Sequence, residues 1–234
     1  MMPNRRREFL GWLGASALLA TGGRPLGAQA ATASRNTRDQ LEPVSDEWDM
    51  SWVERVHGDA RAVFDAPTPG KGGECVWRAV RWLEDYESVY GVKAADITAV
   101  LVIRHQAIPM VMDNDYWSRF SVGKDLGIKD ESGKNWTKKW TVENPVSASS
   151  SNGGSRDAPY TIERFIGVGG IVLACHMAFS GRVVGHYRKA DNLSDEEAEA
   201  QARKHLLPGV ILQPTGIFAA LRAQQAGCAY VMAS

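Results

Sequence analysis

The chain has 234 residues, a formal net charge of zero at neutral pH and 44% hydrophobic residues, enough to bury one sizeable core. The balanced charge speaks against a nucleic-acid partner. Three cysteines, Cys75, Cys175 and Cys228, are too few and too widely spaced for a disulfide scaffold, and no C-x-x-C pair suggests structural zinc.

The first thirty residues read as an address. Asn4-Arg5-Arg6-Arg7-Glu8-Phe9-Leu10 is a basic run closed by Phe-Leu; a modestly apolar stretch from Gly11 to Ala20 follows, and Ala28-Gln29-Ala30 supplies an A-x-A-like cleavage site. The apolar run is well short of the roughly 20 residues a membrane span requires. Cleavage would leave no stable membrane anchor; a retained N-terminal anchor is the rival reading, and both place the body outside the cytoplasm. Arg6 and Arg7, followed by Glu8, Phe9 and Leu10, resemble the twin-arginine signals, which deliver folded cargo, so the expected location is the periplasm. Removing 30 of 234 residues leaves 204, a length suited to one domain. The leader carries four arginines against one glutamate, so the remainder is mildly acidic, near −3.

Residues 31 to 58 read as a polar arm pinned to the body by Trp48 and Trp52, and residues 59 to 234 as the folded domain. Ala62-Val63-Phe64, ending at Asp65, predicts a strand, and a Pro/Gly-rich loop runs from Ala66 to Gly73. Val76, Ala79, Val80, Leu83 and Tyr90 fall at helical spacing, with Gly91 as the stop. Ile97 to Ile103 is β-branched and apolar on both faces, the pattern of a strand covered on both sides. Pro109 to Lys124 predicts a helix. Between residues 130 and 159 the periodicity disappears, and the tract from Ser147 to Ser155 is too polar to offset its ordering entropy, so the segment reads as a loop insertion.

A short helix is expected over Tyr160 to Gly167, and a fully apolar strand over Gly170 to Cys175. Ser194 and Glu197 form a capping box at the head of a helix reaching about Leu206, stopped by Pro208-Gly209. Val210-Ile211-Leu212 predicts a strand, Thr215 to Ala226 a helix, and Ala229 to Met232 a final strand. The order β-α-β-α-β-α-β-α-β predicts an α/β fold, a doubly wound, open, mostly parallel five-stranded sheet with helices on both faces. Ligands of such sheets gather at the C-terminal strand ends, where Cys175 falls.

The segments Gly170-Ile171-Val172-Leu173-Ala174-Cys175, Leu206-Leu207-Pro208-Gly209-Val210, Pro214-Thr215-Gly216 and Gln224-Gln225-Ala226-Gly227-Cys228-Ala229-Tyr230, in that order, resemble the DsrE/DsrF-like proteins. Val100-Leu101-Val102-Ile103-Arg104-His105 is similar to that family's second strand and following histidine. The resemblance covers about residues 60 to 234 and implies a flavodoxin-like α/β sheet of about five strands and assembly into small homo- or hetero-oligomers. In sulfur-relay members a cysteine after the third core strand carries persulfide sulfur; Cys175 matches that position, which implies a sulfur donor or acceptor protein as partner. Export and the polar insertion depart from those cytoplasmic members.

Independently of the resemblance, a thiol at a strand end against the first turn of a helix is placed where thiolate is favoured. The alternative is a small buried hydrophobe ending an apolar strand. His105 and His176 follow the second and third strands and can stabilise a thiolate or move a proton near neutral pH; as exposed loop histidines they would do neither. Cys75 opens the first helix and is a candidate redox partner of Cys175, or its structural disulfide partner. Cys228, at the other end of the sheet, reads as packing. The candidate catalytic residues are therefore Cys175, His176, His105 and Cys75. No cofactor is indicated, and His105, His176 and Cys175 lack a further ligand at metal-site spacing. Pro69-Gly70-Lys71-Gly72-Gly73 lacks the Gly-Lys-Ser/Thr ending of a phosphate loop. Trp117, Trp136 and Trp140, in or beside the insertion, are candidates to cover an oligomer interface or lid a site. A non-catalytic binding or assembly module, or a small-molecule or metal binder at the strand rim, is the competing reading.

Overall fold

The computed structural model describes residues 41, 43–70, 72–129, 139–150 and 160–234, all within the compact unit Arg38–Ser234. The leader and Trp136 lie outside the described residues. Five parallel strands, β1 (Arg61–Ala66), β2 (Thr98–Ile103), β3 (Ile171–Cys175), β4 (Ile211–Gln213) and β5 (Ala229–Met232), form one sheet in the order β4-β3-β2-β1-β5. The expected flavodoxin-like α/β sheet is present.

The topology explains why one face carries most helices. From β1 to β4 each strand is added on the same side of its predecessor, so right-handed crossovers deposit every intervening helix on one face. That face holds α1 (Glu74–Tyr90), α2 (Asn114–Arg119), α3 (Val122–Leu126), α4 (Ile162–Gly167), α5 (His176–Ala178), α6 (Gly185–Asp191) and α7 (Asp195–Lys204). The last connection returns across the sheet from β4 to β5, which sends α8 (Gly216–Gln225) to the other face. Two separate cores follow. Ala62, Phe64, Leu101, Ile103 and Val172 pack under the larger helical layer; Val63, Val100, Val102, Ile171 and Leu173 pack under α8 and Trp52.

Local sequence sets the element ends. Gly73 caps α1 with φ of 118°, and a Cβ there would fall 2.0 Å from Val146 Cγ1, so close packing explains a glycine in this loop. Ser194 and Glu197 form the expected reciprocal cap of α7, and Thr215 caps α8 through Phe218 N–H.

Two expectations are corrected, those over Pro109 to Lys124 and at Trp117. The helix expected over Pro109 to Lys124 is a 3-10 segment, His105–Val111, followed by α2 and α3, because Pro109 removes a donor and Gly123 packs against Thr141. Within the segment read as a loop insertion, Ser147 and Ser150 are buried in turns: Ser147 Oγ donates to Glu163, Ala148 N–H reaches the same carboxylate at 2.9 Å, and Asn144 spans the Met110 and Met112 carbonyls. Polar side chains there replace apolar burial by satisfying backbone groups. Trp117 is fully buried, its Nε1 donating to Pro109 O at 2.7 Å, so it covers no surface; Trp140 is exposed under Lys129.

Candidate functional site

Alternation along parallel strands places one side chain from each of four strands on the α8 face at the C-terminal rim. These are Asp65 in β1, Arg104 just after β2, Cys175 in β3 and Gln213 in β4; Arg104 continues the ladder through its N–H to Ala66 O, while Cys175, at the strand's last position, packs with the core under the larger helical layer. Cys175 and Gln213 are register partners.

Asp65 is almost fully buried. Arg104 donates Nε to Oδ1 at 2.8 Å and Nη2 to Oδ2 at 2.9 Å, and the Tyr230 hydroxyl donates to Oδ2 at 2.7 Å. This cluster bridges β5, β1 and β2, where the strand order reverses direction. The Asp65 hydrogen bond raises the pKa of Arg104 above its ordinary value against the cost of burial, and negative charge on Tyr230 or Cys175 acts in the same sense. A Cβ on Gly216 would lie 2.5 Å from both Cβ and Cδ of Arg104, so the arginine stem crosses the first turn of α8. Cys175 ends its strand within electrostatic reach of this fixed guanidinium.

Cys175 is 7% exposed and forms the N-cap of α5. The helix continues through a π-helical segment, Phe179–Val184, into α6; such segments are frequent at functional sites. His176 opens α5. Its Nε2 lies 3.0 Å from Glu199 Oε1 and 3.3 Å from Ser180 Oγ, and the Trp48 ring meets it edge-on at 5.2 Å. Arg203 Nε and Nη2 donate to the same Glu199 oxygen at 2.9 and 2.6 Å. Burial alone would raise Glu199; hydrogen bonds from His176 and Arg203 outweigh it and hold the carboxyl below its usual value. The imidazole is therefore oriented by an ionised partner.

The remaining candidates differ. His105 is exposed on the rim beside Arg104, with φ of 53°, and its ring makes no hydrogen bond among the described residues. All three cysteines are free thiols. Cys75 is fully buried in the first turn of α1, and desolvation pushes its pKa up to about 12; Cys228, buried before β5, is pushed up to about 11 by the same cause. Neither supplies thiolate near neutral pH.

Sequence reasoning missed Asp65, Arg104, Tyr230, Glu199 and Gln213. One signal was available: Asp65 and Arg104 are opposite charges at the ends of two consecutive apolar strands. Glu199 carried none, being one of several acids on an exposed helix. Gln213 is fully buried and its Nε2 donates to Asp49 O at 2.8 Å, tying the arm across the end of β4, while Oε1 has no partner among the described residues. Beside it the arm and α8 frame an apolar cavity of about 520 Å³ lined by Pro43, Trp48, Met50, Pro214, Phe218 and Leu221.

No protein-family model matches the chain, and comparison with curated proteins and with solved structures finds no match.

Proposed function

We propose that the protein is an exported, DsrE-like thiol protein of the periplasm that carries sulfane sulfur on Cys175. The observation that carries this reading is the contrast among the thiols: Cys175 ends a strand at the C-terminal rim within electrostatic reach of Arg104, while Cys75 and Cys228 are held protonated by burial. In the proposed reaction the Cys175 thiolate attacks the outer sulfur of a donor persulfide. The donor's S–S bond breaks, a new S–S bond forms on Cys175, and the donor leaves as thiolate, so no external oxidant is needed. Arg104 balances the anion in both states. In this reading His176, held by Glu199, takes or returns the thiol proton. The protein partner that supplies or receives the sulfur would dock against this rim, and the DsrE-like character implies an oligomer.

The test is intact mass of the purified protein after exposure to polysulfide and then reductant. A reducible gain in steps of about 32 Da, lost in Cys175→Ser and retained in Cys75→Ser, is expected. An inert Cys175 would sink the carrier reading. The cavity between the arm and α8 would then favour a binding module, detectable as an apolar ligand retained at that groove.

A further inference from the structure

A second cluster lies on the larger helical layer. Asp113 precedes α2, Asp115 lies in its first turn, and His205 follows α7; one ligand atom from each lies within 4.8 Å of the others. Two segments about ninety residues apart are locked together here. Asp113 N–H donates to His205 O at 2.9 Å, Leu207 N–H to Val111 O at 2.8 Å, and Met112 bridges Leu206. His205 Nδ1 stands 2.9 and 3.1 Å from the two Asp113 carboxylate oxygens.

An Asp-His pair supporting a helix cap would account for Asp113, which accepts from Tyr116 N–H, and for His205. It leaves two features without a role. Asp115 converges on the pair although its carboxylate makes no hydrogen bond among the described residues. The second is Tyr187, whose ring stacks on His205 at 5.9 Å. It is fully buried, yet its hydroxyl has no hydrogen-bond partner among the described residues. Asp113 is the largest charge acting on that hydroxyl, which puts the orphan group within electrostatic reach of the cluster whose His205 its ring stacks on. A buried hydroxyl is ordinarily satisfied by protein or by ordered water. The nearby cation, Arg119, is committed to Asp191 and stacked over Tyr187, so it does not neutralise Asp113 and Asp115 directly.

We propose that Asp113, Asp115 and His205 bind one divalent transition-metal ion, whose water ligand satisfies the Tyr187 hydroxyl. Two carboxylates and one imidazole suit Mn2+ or Zn2+; Ca2+ wants six to eight oxygens, which this set does not offer. Ligand bonds of about 2.1 Å bring three donors within roughly 4.2 Å of one another, a small closure that exposed Asp115 can make by a rotamer change. Coordination through Nδ1 moves the neutral ring's proton to Nε2, and Asp113 keeps its helix cap through Oδ1 while offering Oδ2. The ion would pin the start of α2 to the turn before β4.

The experiment is Mn2+ titration of the metal-free full chain, followed by loss of the free-ion electron paramagnetic resonance signal. Mn2+ is chosen because the thiols bind it poorly. One ion per chain, displaced by Zn2+, is expected, with affinity lowered at least about tenfold in Asp115→Asn. Asp115 is exposed, so this variant should keep the parent circular dichroism spectrum. His205→Ala should lose the ion as well, and Cys175→Ser should retain it. Failure to bind Mn2+ at millimolar concentration, or binding unchanged in Asp115→Asn and His205→Ala, would overturn the assignment.

Discussion

Arg104 and Asp65 meet through two parallel hydrogen bonds of 2.8 and 2.9 Å across the C-terminal ends of β2 and β1, with the carboxylate only 3% exposed. Removing one member of such a pair leaves the other without a counter-charge. Asp65→Asn, which keeps the volume, is expected to cost about 3 kcal/mol in urea unfolding. Tyr230→Phe removes a single bond to the same carboxylate from a partly exposed ring and should cost about 1 kcal/mol. Equal losses in the two variants would mean that the pair contributes no more than the hydroxyl.

Gly216 is where α8 touches the arginine stem. A methyl group there cannot fit without moving Arg104, so Gly216→Ala should destabilise the fold by about 1 to 3 kcal/mol, despite alanine's better helix propensity. Under the carrier reading it should also slow alkylation of Cys175 near neutral pH, because the guanidinium leaves its place. A more stable Gly216→Ala would show that the contact is slack.

Two histidines should titrate in opposite directions from the ordinary value of about 6.5. His57 is raised, chiefly by its hydrogen bond to Ala95 O, aided by Arg55 O, while His186 is lowered by burial beside Tyr116. Stability from His57 is therefore complete below the unfolded pKa and is lost as pH rises through its folded value. For His186 the buried neutral ring is favoured, so stability falls as pH drops below the unfolded pKa toward its lower folded value. Proton NMR of the imidazole resonances across pH 5 to 8 resolves the two; coincident curves would contradict both environments.

Much of the fold was written locally. The runs at 62–64, 97–103 and 170–175 became strands because apolar, β-branched residues on both faces are stable only between two layers. Helix ends followed from Gly91, Ser194 with Glu197, and Thr215, each of which acts within four residues of itself. How the tract at Ser147 is held was not legible: its serines are satisfied by Glu163 and Asn144, partners that composition does not reveal.

What the sequence determined by itself was the alternation of elements, the two-sided burial of the strands and the position of Cys175 at a strand end, since all three depend on near-neighbour patterning. Only the tertiary structure decided that β5 returns beside β1, which joins Tyr230 to Asp65 and Arg104. It also set Glu199 on His176 and brought His205 to Asp113 from ninety-two residues away. Those pairings depend on which strands and helices end as neighbours, and that choice is made by the packing of two whole layers against one sheet.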